Sequence, residues 1–397
     1  MIDRDYEAAF ALIRTALFGC DLDAPIPDWA GVYSAMEEQA ILPLVMNVLR
    51  PEDVNDATLY KKWRGQSRAQ IIFNNKLLYL QQQLLELMKE NDIPVVILKG
   101  AAASMYYPRP ELRTMGDIDF MVLPKDFDRA YQVMLEDGYT LQYEKDFVGY
   151  HYTLQKNDAA FELHRYPPGA GITKQWGFLK ELFYEGFDHI EEGSMWESSF
   201  PVFSPLQNGF VLLLHIVKHL SHGLGLRQII DWEMYVDRVL SDEFWEKEFA
   251  PVAEEAGLVT LAKTVTRLCQ LYLGLRTEGI TWCADADEAL CEELLGYFME
   301  QGNFGQKAGL EEDHGARLVS RIRNPIDVFR LLQKHGSERW KAIKKHPWLR
   351  AFAWLYQIFA YLKTILTRKG TLKNWSEDAQ VGRGRGKMFE KLQVYQK

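Results

Sequence analysis

The chain has 397 residues, of which 47% are hydrophobic and 25% are charged, and its formal net charge is −9. This composition is that of a globular protein, and the length suggests two domains or one large composite domain. The acidic balance argues against a general nucleic-acid binder, which would normally be basic. The four cysteines show no metal-ligand spacing and no disulfide density, and the first residues lack an apolar signal segment, so we expect a cytoplasmic protein with free thiols.

Helical periodicity dominates the first ninety residues. Apolar residues at helical spacing predict helices over residues 4–90, and the last of these is a long helix over 65–90. The sequence Asn-Asp-Ile-Pro at 91–94 then interrupts the pattern. We therefore predict an N-terminal helical region that spans residues 1–90.

Short apolar runs separated by turn residues follow this region. They predict a small mixed sheet with helices, in an α/β core over residues 91–200. The predicted elements are strands over 95–98, 117–123 and 139–143, helices over 100–107 and 125–137, and a hairpin formed by 149–155 and 160–165.

Two aspartates open the second of these strands. Asp117 and Asp119 are two residues apart, so on a strand they lie on one face, about 6–7 Å from each other. Two carboxylates this close repel each other, and a cation normally relieves the repulsion. Hard oxygen ligands grouped in this way suit Mg²⁺. The alternative is a solvated strand start or a helix cap, since Gly-Asp is common at turns.

A third acid fits the same pattern. Glu162 and His164 alternate with apolar residues and therefore share one face of a strand. Three carboxylates on neighbouring strands could hold two metal ions for an in-line displacement at phosphorus. Glu162 would share the metals or act as general base on an acceptor hydroxyl, and His164 would contact substrate or a metal-bound water. The alternative for Glu162 is the polar side of an exposed hairpin.

Basic and glycine residues precede the acids. Gly100 lets a phosphate approach the backbone closely because it has no side chain, and Lys99 could contact that phosphate as a point charge. The alternative for Lys99 is an ordinary surface lysine. Arg113 lies four residues before Asp117, where it would balance the acidic cluster or bind phosphate.

The order of these motifs resembles a known family. It is similar to the core of the polymerase-β-like nucleotidyltransferase superfamily, and in particular to a large bacterial branch known simply as uncharacterised nucleotidyltransferases. The segments that carry the resemblance are Leu98-Lys99-Gly100, Arg113-x-x-Gly116-Asp117-Ile118-Asp119 and Glu162-Leu163-His164. A weaker likeness extends to Gly225-Leu226-Arg227-Gln228-x-x-Asp231-Trp232.

The resemblance implies an enzyme that moves a nucleoside monophosphate from a nucleoside triphosphate to an acceptor hydroxyl, with Mg²⁺ or Mn²⁺ as cofactor. It implies that the catalytic and metal-binding residues are Asp117, Asp119 and Glu162. It further implies that the nucleotide phosphates lie near Lys99, Gly100, Arg113, Gly116 and His164.

The chain departs from the usual family pattern after Gly100. Ala101 stands where glycine or serine is usual, and sixteen residues separate Gly100 from Asp117, which is a longer gap than usual. A serine that would touch the nucleotide phosphate is therefore missing. Related enzymes modify sugars, antibiotics, nucleic-acid ends or protein hydroxyls, so the fold does not choose the acceptor. The alternatives are a non-catalytic nucleotide-sensing or scaffold protein on the same fold, and a toxin–antitoxin activity with a tRNA or protein acceptor.

After Pro167-Pro168-Gly169 the chain turns mainly helical. The predicted helices lie near 174–184, 205–222, 225–239, 242–256, 259–274, 286–301, 316–335 and 348–367. We predict a C-terminal helical domain over 201–369 and a basic flexible tail over 370–397. His219, Arg227 and Asp231 are candidate contacts on the substrate side, and the i, i+4 spacing of Arg227 and Asp231 predicts an ion pair. His215, His219 and His222 do not offer the four ligands of a structural zinc site, so we expect packing or substrate contact.

The overall class predicted from these elements is α+β. One apolar segment, 348–366, approaches the length of a membrane span, but Arg350, Gln357 and Lys363 interrupt it. We predict that this segment docks on the protein. The alternative is a helix that lies on a membrane surface or binds a partner.

Overall fold

The computed structural model describes residues 3–22, 26, 28–142, 151–169, 173, 175–220, 223–303, 329, 332–333, 336–337, 340–344, 346–367 and 385–394. The chain forms two compact units, one of residues 1–307 with 392–397 and the other of residues 308–391. A five-stranded mixed sheet and many helices make up the described part, which confirms the predicted α+β class. The finer division at residues 90, 200 and 369 stays a prediction.

Three helices open the first unit, α1 (Arg4–Phe18), α2 (Trp29–Glu38) and α3 (Ala57–Glu90), with a 3₁₀ turn at Leu42–Val45 before α3. An aspartate stands at each of their N-caps, where its side chain accepts hydrogen bonds from backbone N–H groups of the first turn. The Asp56 cap explains why α3 begins eight residues before the predicted long helix. Its C-terminal end at Glu90 agrees with the prediction.

The central sheet consists of β1 (Val95–Ile97), β2 (Asp117–Val122), β3 (Thr140–Leu141), β4 (His151–Lys156) and β5 (Ala159–His164). The strand order is β1-β2-β5-β4-β3, and β2 pairs with β5 in parallel while the other pairs are antiparallel. Between β1 and β2 lie the short helix α4 (Ala101–Ser104) and a 3₁₀ turn at Pro110–Leu112. The mixed sheet predicted from the apolar runs is therefore confirmed.

One face of this sheet is the main hydrophobic core. Alternate residues of β2 and β5, such as Phe120 and Phe161, are fully buried there against α3 and against α5 (Phe127–Glu136). Since successive strand residues point to opposite faces, the residues between them lie on the other face. The core thus fixes the acids of β2 and β5 on the side away from α3 and α5.

A second, two-stranded sheet corrects one expectation. After α6 (Trp176–Glu185), strands β6 (Glu191–Met195) and β7 (Ser198–Val202) form an antiparallel hairpin, whereas the sequence predicted a mainly helical chain. The prediction was wrong because β6 reads Glu-Glu-Gly-Ser-Met and β7 contains Pro201, a composition poor in strand formers. Burial of Met195, Phe200 and Val202 in the main core holds the hairpin in place.

Helices then complete the first unit. They are α7 (Pro205–Leu220), α8 (Leu226–Arg238), α9 (Asp242–Phe244), α10 (Ala250–Ala256), α11 (Val259–Leu268) and α12 (Glu288–Gln301), with π-helical turns at Trp245–Phe249 and Cys269–Leu273. Helix α7 is buried on nearly all sides. These bounds agree with the helices predicted between residues 205 and 301 to within a few residues.

The buried side chain of Gln39 joins distant parts of this unit. Its Nε2 donates to the carbonyl oxygen of Phe298 in α12 at 3.0 Å and lies 3.1 Å from the hydroxyl of Tyr6 in α1. Its Oε1 accepts from the backbone N–H of Leu226, the first residue of α8, at 2.7 Å. The three contacts fix the N-terminal helices against both α8 and α12.

In the second unit, the described residues include a 3₁₀ segment at Pro347–Phe352 followed by a helix at Ala353–Thr367. Among the described residues, no helix has the length and apolar character needed to cross a membrane. The helix predicted near 316–335 lies mostly outside the described residues. Of the predicted tail, only residues 385–394 are described, and 385–391 of these are helical.

Candidate active site

The end of β1 places a lysine beside the two aspartates of β2. The ladder between these strands extends to Leu98, whose N–H donates to the carbonyl oxygen of Asp119 at 3.0 Å. Gly100 then adopts φ +66°, a conformation that favours glycine, and the chain turns into α4. As a result the Lys99 Nζ lies 2.9 Å from Asp119 Oδ2 and 4.0 Å from Asp117 Oδ2. Lys99 is only 8% exposed, so it is not an ordinary surface lysine.

Strand β5 adds an acid and an imidazole to the same face. The parallel register sets Glu162 opposite Asp119, and His164 follows two residues later. His164 Nε2 lies 3.0 Å from Asp119 Oδ1 and 3.2 Å from Glu162 Oε2. One ligand atom from each of these three residues lies within 4.8 Å of the others, and no further group of three metal-binding side chains occurs among the described residues.

Helix α7 forms a wall on the Glu162 side. Gly169, at φ +90° in the loop after β5, packs so closely on the Leu214 backbone that a side chain there would overlap it. This contact holds the loop directly on α7. Lys218 of α7 then lies with its Nζ 3.9 Å from Glu162 Oε2. No sequence pattern singles out Lys218, because a lysine in the last turn of a helix is common.

The charges of this cluster compensate one another. Burial acts to raise the pKa of Glu162, but the hydrogen bond from His164 and the charges of Lys218 and Lys99 outweigh it and hold that pKa well below its usual range. Burial acts to lower the pKa of His164, but the hydrogen bonds and charges of Asp119 and Glu162 prevail and raise it. Burial and the charge of Asp119 raise the pKa of Asp117 to about 6. The site therefore pairs several acids with buried cations.

Neutral histidines surround these charges. The ring of His151 stacks on that of His164 with centroids 5.2 Å apart, and burial together with the His164 charge lowers the pKa of His151 to about 4. On α7, His215 and His219 are joined by a hydrogen bond of 2.9 Å between their Nε2 atoms. Burial and nearby lysine charges lower the pKa of both far below the usual value, so the pair is neutral. His222 lies outside the described residues.

With this geometry in place, comparison with known proteins assigns the chain to a family. A family model described as uncharacterised nucleotidyltransferase matches residues 25–274, which is more than half of the chain. The chain belongs to this family. It is therefore an enzyme of the nucleotidyltransferase class. Neither the search of curated proteins nor the search of solved structures found a match.

The match includes every candidate site residue, and the structure brings most of them to one place. The acid cluster of the nucleotidyltransferase consists of Asp117, Asp119, Glu162, Lys99 and His164, with Gly100 at the turn after β1 and Gly116 directly before β2. His219 lies one helical turn from His215, and the nearby charge of Lys99 helps to lower the pKa of both histidines. The assignment of catalytic and binding roles to these residues stays a prediction.

Arg113 and Asp231 form a separate buried ion pair in the nucleotidyltransferase. Arg113 Nε and Nη2 donate to the two carboxylate oxygens of Asp231 at 2.6 Å and 2.7 Å, and the Tyr107 hydroxyl also donates to this carboxylate at 2.7 Å. The bidentate pair ties the loop before β2 to α8. Arg227, one turn earlier on α8, donates from Nη1 to the carbonyl oxygen of Thr114 at 3.2 Å. The Arg113 guanidinium is therefore used in the ion pair with Asp231, which positions the loop that leads into Asp117.

Asn74 of α3 holds the same loop from the other side. Its Nδ2 donates to the carbonyl oxygens of Glu111 at 3.0 Å and Arg113 at 2.8 Å. Its Oδ1 accepts from the Met115 N–H at 3.1 Å and from Gln70 Nε2 at 2.9 Å. Asn74 is fully buried, so every hydrogen-bonding group of its amide is used inside the protein. No sequence pattern points to Asn74, because an asparagine within a long helix carries no local signal for a loop 37–41 positions further along the chain.

We expect Asn74→Ala to lower the free energy of unfolding by about 2–3 kcal/mol, because it leaves the buried Met115 N–H and Arg113 carbonyl without partners. Urea titration followed by intrinsic fluorescence measures the change. Asn75→Ala is the matched control, since Asn75 is the next residue of the same helix but is exposed. Equal losses in the two variants would show that the amide of Asn74 does not stabilise the loop.

Proposed function

We propose that this nucleotidyltransferase transfers a nucleoside monophosphate from a nucleoside triphosphate to an acceptor hydroxyl, and that it does so with Mg²⁺ or Mn²⁺. We also propose that it belongs to the bacterial branch of the polymerase-β-like superfamily. The observation that carries the proposal is the parallel register of β2 and β5, which sets Asp119 opposite Glu162 within reach of one cation.

The residues present fit a divalent cation. Carboxylate oxygens are the ligands that Mg²⁺ and Mn²⁺ prefer, and Asp117, Asp119 and Glu162 would supply them. His164 would orient two of these carboxylates, since its Nε2 lies within 3.2 Å of an oxygen of each. A bound cation would neutralise the negative charge that develops on the phosphate oxygens.

The surrounding cations suit a triphosphate. Lys99 from β1, Lys218 from α7 and Arg227 from α8 approach the acids from three different elements. Lysine and arginine side chains bind phosphate oxygens through charge-assisted hydrogen bonds. In our proposal these residues receive the β- and γ-phosphates, while the neutral His219 of α7 lies on the acceptor side.

The proposed reaction is an in-line displacement. The acceptor oxygen forms a bond to the α-phosphorus, the bond from that phosphorus to the bridging oxygen of the β-phosphate breaks, and pyrophosphate leaves with the electron pair. The hydroxyl proton passes to the Glu162 carboxylate. Its lowered pKa keeps Glu162 ionised at neutral pH, so the carboxylate is in the form that receives a proton, although it is a weaker base than an ordinary glutamate.

Label transfer tests this function directly. Cell lysate is incubated with the protein, Mg²⁺ and each α-labelled nucleoside triphosphate in turn, and pyrophosphate release is measured in parallel. We expect labelled product with the wild type and none with Asp117→Ala. Asp137→Ala is the control, since Asp137 is an exposed carboxylate that pairs with Lys156 on the surface.

The chemical class of the labelled product identifies the acceptor. Loss of label on protease treatment indicates a protein hydroxyl, loss on nuclease treatment indicates a nucleic-acid end, and label of low mass indicates a small molecule. Nucleotide binding with Mg²⁺ but no label from any of the four nucleotides would instead favour a non-catalytic nucleotide sensor.

A further inference from the structure

Lys99 makes a contact that a phosphate-binding lysine alone would not require. Its Nζ lies 2.9 Å from Oδ2 of Asp119, whose other oxygen, Oδ1, lies 3.0 Å from His164 Nε2. Asp119 is completely buried, and these two groups are the cations that contact its carboxylate among the described residues. Lys99 therefore neutralises the central acid of the cluster directly.

The position of Lys99 is set by the backbone and not by a flexible surface side chain. The Leu98–Asp119 hydrogen bond and the turn at Gly100 fix its Cα next to β2. Its side chain is 9% exposed and also lies 4.0 Å from Asp117 Oδ2. Both aspartates proposed as metal ligands thus share this one ammonium group.

A divalent cation on Asp119 Oδ2 would compete with this ammonium group for the same oxygen. Mg²⁺ binds carboxylate oxygens at about 2.0–2.1 Å, so an ion on Asp119 Oδ2 would come within contact distance of the Lys99 Nζ. Like charges at this separation in a buried site repel strongly. Lys99 must therefore leave Asp119 when a cation binds to that oxygen.

We propose that Lys99 is an internal competitor of the divalent cation, and that the incoming triphosphate draws it away from Asp119. The proposal rests on the proposed function, which supplies the triphosphate. It follows that the cation alone binds weakly, and that nucleotide and cation each strengthen the binding of the other by the same factor. Lys99 thereby restricts loading of the cation to the nucleotide-bound enzyme.

Mn²⁺ affinity, measured by calorimetry or electron paramagnetic resonance with and without a non-hydrolysable nucleotide, tests the proposal. We expect Lys99→Met to bind Mn²⁺ alone about tenfold or more tightly than the wild type, since a cation this close to a carboxylate lowers its affinity for a proton by one to three powers of ten and repels a divalent cation in the same way. The strengthening of Mn²⁺ binding by nucleotide should shrink in the same variant. Lys99→Arg keeps the positive charge and should keep the weak binding of Mn²⁺ alone.

Lys247→Met is the matched control. It removes an exposed ammonium group that lies 2.7 Å from the carboxylate of Glu243, outside the acid cluster, and leaves the Lys99–Asp119 contact in place, so it should leave Mn²⁺ affinity unchanged. Should Lys99→Met prove unstable, Mn²⁺ should raise its melting temperature more than that of the wild type. A Lys99→Met variant that gains neither Mn²⁺ affinity nor Mn²⁺-dependent stability overturns the proposal. Absence of Mn²⁺ binding from the wild type even with nucleotide would count against the proposed function itself.

Discussion

Asp119→Asn should reduce nucleotidyl transfer roughly 100-fold or more, which is the largest loss of activity that we expect from an isosteric change. Mutation of groups that merely support a metal ligand costs about 10–100-fold, and Asp119 would be a ligand itself. The change removes the one carboxylate that contacts both Lys99 and His164. The initial rate of label incorporation from an α-labelled nucleotide measures the effect.

The matched control for this experiment is Asp137→Asn, which makes the same chemical change at an exposed carboxylate. It should leave the rate unchanged. Circular dichroism establishes that both variants are folded. A folded Asp119→Asn variant that retains more than a tenth of the wild-type rate would remove Asp119 from the catalytic centre.

Asp231→Asn should lower the free energy of unfolding by about 3–5 kcal/mol, which is the range for loss of one partner from a buried ion pair. The physical reason is that Arg113 stays charged and is only 4% exposed, so it cannot recover its lost partner by contact with water. The Tyr107 hydroxyl loses a charged acceptor in the same step. Urea titration of the two proteins side by side gives the difference.

Asp237→Asn provides the comparison on the same helix. Its partner, Arg276, is 55% exposed, and exposed ion pairs contribute about 0–1 kcal/mol. A loss for Asp231→Asn as small as that for Asp237→Asn would show that water reaches the Arg113 guanidinium. Slower label transfer by the Asp231→Asn variant would further connect this pair to the loop that precedes Asp117.

Much of the candidate site follows from local spacing. Asp117 with Asp119, and Glu162 with His164, are two residues apart within apolar strands, so the burial of residues such as Phe120 and Phe161 determines the face on which they lie. The apolar pattern therefore predicts both the strands and the face of the sheet on which the acids lie. The distances within the cluster depend on strand register, which the sequence pattern leaves open.

The partners of these residues could not be predicted in the same way. The i, i+4 rule points from Asp231 to Arg227, whereas the bidentate partner in the structure is Arg113, 118 positions away. Lys218 and Asn74 reach the site from helices whose packing is set by the whole first unit. Contacts of this kind depend on tertiary structure, for which one sequence holds no periodic signal.

The contacts of Gln39 impose an order on the folding of the chain. Its partners Leu226 and Phe298 lie 187 and 259 positions further along the sequence. Ribosomes add roughly 5–20 residues per second, so about 10–50 seconds separate the synthesis of Gln39 from that of its last partner. During this interval the buried amide of Gln39 and the apolar faces of α1 and α2 lack their final contacts. The N-terminal helices are therefore the first part of the first unit to be synthesised and among the last to complete their packing.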